Sequence, residues 1–448
     1  ENGNSVSEIE KAINKAKESD KPNFIIVKTL IGFGSPYEGQ AKIHGNPLKE
    51  EGLKILRENL KINIKPFEIL PETKEYFDEL KETKEKVFED VVNKLKYYKK
   101  HYKKEYKQLL SFFENNSKVE EELENLVFDK DASTRDLSSI VLNHISKNHL
   151  NIIGGTADVS ASTKAYINDG GNFGPNLYSG RNILYGVREH AMGAISNGIA
   201  LYGGLRPFAS TFFAFSDYMK NAVRMSALMN LPVLYIFSHD SIAVGEDGPT
   251  HQSVEQLVQF RAMPNINVFR PCNMEETKAG YLVSLTTQKP LILALSRQVL
   301  PYVQSTMQNA MKGGYIISKE NMGELHSVLI ATGSEVHLAL DAQKVLFEKG
   351  YNVRVVSMPC MEIFDEQTDK YKNKVIPRNC VSRIAIEAGS ELSWFKYVGL
   401  NGDTITVNSF GFSAREQDLY NHFNITVENI VNVTIKNIKK NKTKTLTI

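Results

Sequence analysis

The chain has 448 residues, 42% of them hydrophobic and 24% charged, with a formal net charge of +2. That length sustains two or three cores, and the near-neutral balance excludes any general electrostatic argument for a nucleic-acid or membrane partner. The three cysteines, Cys272, Cys360 and Cys380, form neither a metal spacing nor a disulfide framework, and no apolar run reaches membrane-span length, so a reducing, cytoplasmic setting is expected.

The sequence starts at Glu1 in a helical pattern, without a signal or transit peptide, and reads as the continuation of a longer α/β unit. Ser7 and Glu10 have capping-box spacing, and Val6, Ile9, Ala12, Ile13 and Ala16 recur at helical intervals until Pro22. Phe24–Val27 reads as a buried strand, followed by a glycine-rich loop at Ile31–Pro36. From Pro71 to Leu126 the chain is highly charged and lacks glycine. Its basic-aromatic run, Lys96 to Lys104, has acidic flanks and reads as solvated linker helix rather than a nucleic-acid patch. The sequon Asn115-Asn116-Ser117 reads as chance without a secretory signal.

From about Ser133 to Pro301 short apolar runs alternate with helical patterns, which implies a mostly parallel sheet with helices on both faces. Candidate strands are Leu150–Ile153, Val233–Phe237, Ile266–Phe269 and Leu291–Leu295. Gly154, Gly155 and Asp158 follow the first, Ser238-His239-Asp240 the second and Ser296-Arg297 the last. Open parallel sheets bind ligands beyond the carboxyl ends of their strands, so these polar residues are binding candidates. A smaller α/β unit begins near Gly323. It has strands at Val328–Ala331 and Val353–Val356, a helix face of Val336, Ala339, Leu340 and Leu346, and Gly350 at the C′ position. Gly333-Ser334-Glu335 is an ordinary turn and cap or an anion site. The lysine-rich end, Lys436 to Lys444, is expected to fray.

Three segments concentrate chemistry. In Tyr185 to Gly193 a short strand leads into a helix rich in small residues, with Glu189 at its start. By itself such a glutamate is ordinarily only a favourable charge on the helix dipole. In Pro207 to Tyr218 the aromatics Phe212, Phe215 and Tyr218 stand at three-residue spacing, either as a buried helix face or as a stacking pocket for a flat heterocycle. His239 to Gln252 packs two histidines and several carboxylates into a loop punctuated by glycine and proline, which suits binding and catalysis. The long His239–His251 spacing argues against zinc.

Taken together and in this order, these segments resemble the transketolase family over essentially the whole chain, apart from the charged linker and tail. The resemblance implies three α/β domains with parallel sheets and helices on both faces: an incomplete first domain over 1–98, a pyrimidine-binding domain over 99–308 and a C-terminal domain over 309–448. It implies ketol transfer between sugar phosphates, with thiamine diphosphate and a divalent metal (Mg or Ca) as cofactors. A homodimer with its active sites between subunits is also implied. Glu189 resembles the glutamate that shares a proton with the pyrimidine N1′, a role that needs a dry pocket. Phe212, Phe215 and Tyr218 resemble the pyrimidine pocket, and Asp158 a cofactor contact. His44 resembles a histidine near the cofactor and the donor sugar. Arg135, Arg297 and Ser162 resemble phosphate ligands, and His239, Asp247 and His251 residues that contact sugar hydroxyls. His44, His239 and His251 suit proton exchange.

Two departures stand out. Ser162-Thr163-Lys164 replaces a longer Ser-Asn-Leu-Thr stretch. The family's Gly-Asp-Gly-type metal and diphosphate motif is absent, so the metal ligands are expected elsewhere and the isolated chain is expected to be inactive. A related thiamine enzyme such as deoxyxylulose-phosphate synthase or dihydroxyacetone synthase is the alternative within enzymes. A non-catalytic scaffold is the alternative outside them, and the presence of Glu189 argues against it.

Overall fold

The computed structural model describes residues 1–113, 118–175, 177–321 and 323–445, so the sequon at 115–117 lies outside the described residues. The chain divides into two compact units, 1–103 and 104–448. Among the described residues no helix is long and apolar enough to cross a membrane.

The first unit holds helices at Val6–Lys17, Glu50–Asn59 and Pro71–His101 and a 3₁₀ turn at Ala41–Ile43. The N-cap lies two residues earlier than the Ser7–Glu10 spacing predicts. Ser5 is the N-cap and accepts from the Glu8 N–H, while the Glu8 carboxylate accepts from the Asn2 N–H. The spacing Ser-x-x-Glu occurs twice in overlapping frames; in the earlier one the Ser5 N–H donates to the Asn2 carbonyl at 3.1 Å, so the reciprocal half of a capping box is not made. Phe24–Val27 is not a strand, and Phe24 is 90% exposed. An apolar run becomes a buried strand only when neighbours pair with it and helices cover both faces. Here its backbone meets only the first residues: the Ile26 carbonyl accepts from the Glu1 ammonium at 2.8 Å, and the Lys28 N–H donates to the Glu1 carbonyl. The charged run does form a helix, Pro71–His101, whose first turn starts at a proline and whose last turn carries Lys99, Lys100 and His101.

The second unit contains two sheets. The first is formed by β1 (Ile152–Thr156), β2 (Asn182–Leu184), β3 (Arg206–Phe212), β4 (Leu234–Ser238), β5 (Asn267–Phe269) and β6 (Leu291–Leu295). Their order is β2-β1-β3-β4-β6-β5, all parallel. The second sheet comprises β7 (Tyr315–Ser318), β8 (Ser327–Ala331), β9 (Val353–Ser357), β10 (Arg383–Ile386) and β11 (Asp403–Ile405). It is ordered β11-β10-β8-β9-β7, with only β7 antiparallel. The period of two sorts side chains into a core on each face. Leu234 and Ile236 of β4 enter one core with Phe208, while Tyr235 and Phe237 enter the other with Phe213 and Phe260.

β1 starts two residues later than expected, with Gly154 and Gly155 inside it. A Cβ at Gly154 would stand 2.0 Å from the Phe208 carbonyl oxygen, so the strand needs bare backbone there. The lysine-rich end does not fray as expected but continues a helix from Val427 to Thr445. Asn437 and Asn441 tie that helix down by donating to the Asn401 carbonyl at 2.8 and 3.1 Å.

Candidate active site

The strands β1, β3, β4 and β6 are consecutive neighbours, so whatever follows each of them gathers along one sheet edge. After β1 comes Asp158, in a left-handed conformation with φ 64°. β3 ends in Phe212, β4 leads into His239 (φ 63°), and β6 into Ser296 and Arg297.

Phe212 is the hub. The His239 ring stacks on it at 3.9 Å, Phe215 lies 5.5 Å away and His251 5.9 Å away. His251 meets Phe215 edge-on at 5.0 Å, and Tyr218 lies 6.2 Å from Phe215. The three aromatics do not share one helix face. Phe212 ends a strand, Phe215 closes a 3₁₀ turn and Tyr218 sits in helix Ser216–Met229. The chain bend between them turns two ring faces toward one another, and Tyr218 stays largely exposed.

Arg135 and Arg297 are brought side by side by a stitch between a helix start and a strand end. The Ser296 N–H donates to the Thr134 hydroxyl at 2.7 Å, and the Thr134 N–H to the Ser296 hydroxyl at 3.0 Å. Ser133 caps that helix by accepting from the Asp136 N–H. Arg135 Nη1 then donates to the Ser162 carbonyl at 2.8 Å, which adds Ser162 to the group. Burial lowers the Arg135 pKa, as does the charge of Arg297, while Asp136 opposes them. Arg135 Nε is buried and has no hydrogen-bond partner among the described residues. Two close guanidinium groups with a donor unused are suited to a phosphate. Burial first, then the charges of Arg135, Arg297 and His251, push the His239 pKa down to about 3. Its Nδ1 is paired with the Ser238 hydroxyl at 2.8 Å.

Glu189 is the nearly buried first residue of helix Glu189–Tyr202. The helix packs on β3 and crosses helix Ser216–Met229 at Gly193, where a Cβ would stand 2.8 Å from Ala222 Cβ. Asn197 fixes the crossing by donating to the Ala222 carbonyl at 2.9 Å. The loop from His239 to Gln252 carries a 3₁₀ turn at Ile242–Asp247, kinked at Gly245, with Asp247 exposed. Gln252 Nε2 braces it by donating to the Gly245 and Phe412 carbonyls at 2.9 and 3.0 Å. His44 belongs to the other unit, exposed at the end of its 3₁₀ turn. Among the described residues no group of three His, Cys, Asp or Glu side chains could hold a metal ion.

Arg270, directly after β5, was not among the expected site residues. It contacts Asp240 at 2.8 Å and lies against Gly333. The polar-residue-after-strand signal that marks His239 and Arg297 marks Arg270 too. Gly333-Ser334-Glu335 is a buried turn around this cation rather than an open anion site.

Family models match in three stretches: a transketolase thiamine-diphosphate-binding domain over 1–117, a transketolase pyrimidine-binding domain over 130–303 and a transketolase-like C-terminal domain over 313–426. The transketolase of Geobacillus stearothermophilus is 40% identical over 448 residues, covering 97% of this chain and 67% of its own. The chain belongs to the transketolase family.

The transketolase of Bacillus subtilis is 43% identical over 443 residues, which make up 96% of this chain and 66% of its own. A crystal structure of the Pichia stipitis transketolase in complex with sedoheptulose 7-phosphate superimposes with a TM-score of 0.91 at 36% identity. It covers 98% of this chain and 66% of its own. The chain thus spans about two thirds of the length of these relatives. For a transketolase, the residues present suit thiamine in two respects. The Phe215 ring, backed by Phe212, suits stacking with a flat heterocycle, and Glu189 offers a nearly buried carboxyl to a ring nitrogen.

Proposed function

We propose that the protein is a transketolase that moves a two-carbon ketol unit from a ketose phosphate of the xylulose 5-phosphate type to an aldose phosphate of the ribose 5-phosphate or erythrose 4-phosphate type, in the pentose phosphate pathway. The observation that carries this reading is the stitched pair Arg135 and Arg297, with an unused buried donor, beside a histidine kept neutral by burial and then by their charge. Thiamine diphosphate, when bound with its divalent metal (Mg or Ca), supplies the electron sink for breaking and making the carbon–carbon bond.

The chain's own residues then do the following. Phe212, Phe215 and Tyr218 hold the pyrimidine ring, with Asp158 and His44 as further cofactor contacts. Glu189 holds a proton against the ring's N1′. Arg135, Arg297 and Ser162 hold the sugar's terminal phosphate. His239, held at Nδ1 by the Ser238 hydroxyl, meets a sugar hydroxyl through its other ring nitrogen, and His251 and His44 handle the remaining oxygens. Asp247 reads a substrate hydroxyl.

The proposed domain division is near residues 98 and 308. A homodimer with shared active sites belongs to the same proposal. Exposed Ile195, Leu201 and Tyr202 on one helix and Met225 and Leu228 on the next support it, as an apolar patch of interface type. A cytoplasmic setting is supported by the three cysteines, all free and buried.

The test is ketol transfer from xylulose 5-phosphate to ribose 5-phosphate with thiamine diphosphate and Mg²⁺. It is run on the chain as it stands and on a chimera whose remaining third comes from the Bacillus subtilis relative. We expect transfer in the chimera and little in the chain alone; no transfer in either overturns the reading.

A further inference from the structure

We propose that Arg270 is a positioning residue: through Asp240 it clamps the Ser238–His239–Asp240 turn to the C-terminal sheet and so sets the His239 ring against Phe212. The proposal rests on the reading of His239 as a site residue and gives the small C-terminal sheet a part in the site.

The geometry begins with strain. His239 has φ 63°, a left-handed conformation that a side-chain-bearing residue keeps only when its surroundings hold it. The Ser238 hydroxyl holds the ring at Nδ1 at 2.8 Å, but the His239 backbone is held weakly: the Ser253 hydroxyl reaches its carbonyl only at 3.5 Å. The next residue is held firmly. Asp240 Oδ2 accepts from Arg270 Nε at 2.8 Å, and both side chains are essentially unexposed.

Arg270 uses the rest of its guanidinium on the other sheet. Nη1 donates to the Thr332 carbonyl at 2.9 Å and to the Glu335 carboxylate, and Nη2 to the Ser334 hydroxyl at 3.0 Å. Its own backbone is tied as well, its N–H to the Pro359 carbonyl at 2.8 Å and its carbonyl to the Thr332 hydroxyl at 3.1 Å. Gly333, at φ 56°, gives the guanidinium its bed, since a Cβ there would stand 2.8 Å from Arg270 Cγ. Glu335 is fixed in turn by the Ala388 N–H at 3.0 Å and the Tyr420 hydroxyl at 2.7 Å. A planar five-donor fork meets these directions together, which a lysine cannot do.

Two further ties run from the C-terminal segment to the same loop, Ser413 to the Glu246 carbonyl at 2.5 Å and Gln252 to the Phe412 carbonyl. Asp240 Oδ1 is buried and has no hydrogen-bond partner among the described residues. A contact serving cohesion alone would gain from satisfying that oxygen.

Simple glue between sheets and a positioning clamp differ in what His239 feels. Stacking at 3.9 Å places its ring protons in the Phe212 ring current. The experiment records histidine ring resonances in ¹³C-histidine-labelled protein, with His239 assigned by its loss in His239→Gln. In Arg270→Lys and Asp240→Asn the His239 resonances should move toward the free-histidine position, and less far in Ser334→Ala. His149 and His326 should stay in place as folding controls. In the active chimera kcat should fall by up to about a hundredfold in Arg270→Lys, the scale of a misplaced catalytic group, with KM for the cofactor unchanged. Ser334→Ala, which removes one acceptor far from the ring, decides the matter if the charge variants fail to fold. Unmoved His239 resonances in the folded variants overturn the proposal. If the wild type shows no ketol transfer, the functional reading fails, while the resonances still decide the clamp.

Discussion

At neutral pH His239 is an uncharged base, because burial and then the charges of Arg135, Arg297 and His251 bring its pKa to about 3. The unfolded chain, with an ordinary histidine, binds this proton near pH 6.5. Between those values the unfolded state holds more protons, so the stability that His239 contributes is present above about pH 6.5 and is lost as pH falls toward 3. Melting of the wild type should therefore fall more steeply from pH 7 to pH 4 than melting of His239→Gln; parallel curves would remove His239 from the acid limb. Glu189→Gln should lower turnover by roughly a hundredfold to ten-thousandfold, the usual reach of a positioned acid or base, and leave melting nearly unchanged. Turnover and melting of the chimera check both halves. Asp247 stands exposed on the kinked loop, open to a ligand hydroxyl. A carboxylate that accepts from the substrate hydroxyl favours the substrate that carries it over the analogue that lacks it. Asp247→Ala should then narrow the gap in kcat/KM between ribose 5-phosphate and 2-deoxyribose 5-phosphate. An unchanged ratio would assign Asp247 to loop shape instead.

The crossing of helices Glu189–Tyr202 and Ser216–Met229 leaves no room at Gly193, where Ala222 Cβ and Met219 Cγ stand 2.8 and 2.9 Å from a Cβ position. Gly193→Val should cost about 1–3 kcal/mol by overpacking. It should also lower activity, since the displaced helix starts at Glu189; urea unfolding alongside turnover separates this joint loss from the activity-only loss of Glu189→Gln. Elements buried on both faces were the legible ones. β4, β6 and β8 read as apolar runs because helices cover both sides of a parallel sheet, and β9 reads so despite Arg354, whose guanidinium reaches Glu320. β3 was not legible, since Ser210 and Thr211 interrupt its apolar pattern, and the Ser210 hydroxyl finds its partner only across the sheet, at the Ile236 carbonyl. Phe24–Val27 fails in the opposite sense, apolar enough for a strand but without strands to pair with. The polar residues after β1, β4 and β6 were legible from their place in the pattern. The Arg270 node was not, because its partners Asp240 and Glu335 lie 30 and 65 residues away along the chain.

The two units differ sharply in what they bury. Within 1–103 only Ser35 is buried, while the strands of both sheets are largely closed to solvent. Amide hydrogen exchange on the 448-residue chain should show it: protection near the global limit in β4, β6 and β8, and early exchange through 1–103. Comparable protection in both would contradict the burial pattern. The sheets themselves are assembled from pairings distant in sequence, which form slowly and leave strand borders uncovered during refolding. The outermost strands are short at every border: three residues each in β2, β5 and β11, and four in β7, whose pairing slips register between Ile316 and Ser318. A second molecule meeting such a border finds only a few main-chain groups to extend, and an interrupted ladder on one side. The abbreviated borders thus act against the propagation of strand-to-strand aggregates, and lengthening β2 or β5 by apolar residues would remove that protection.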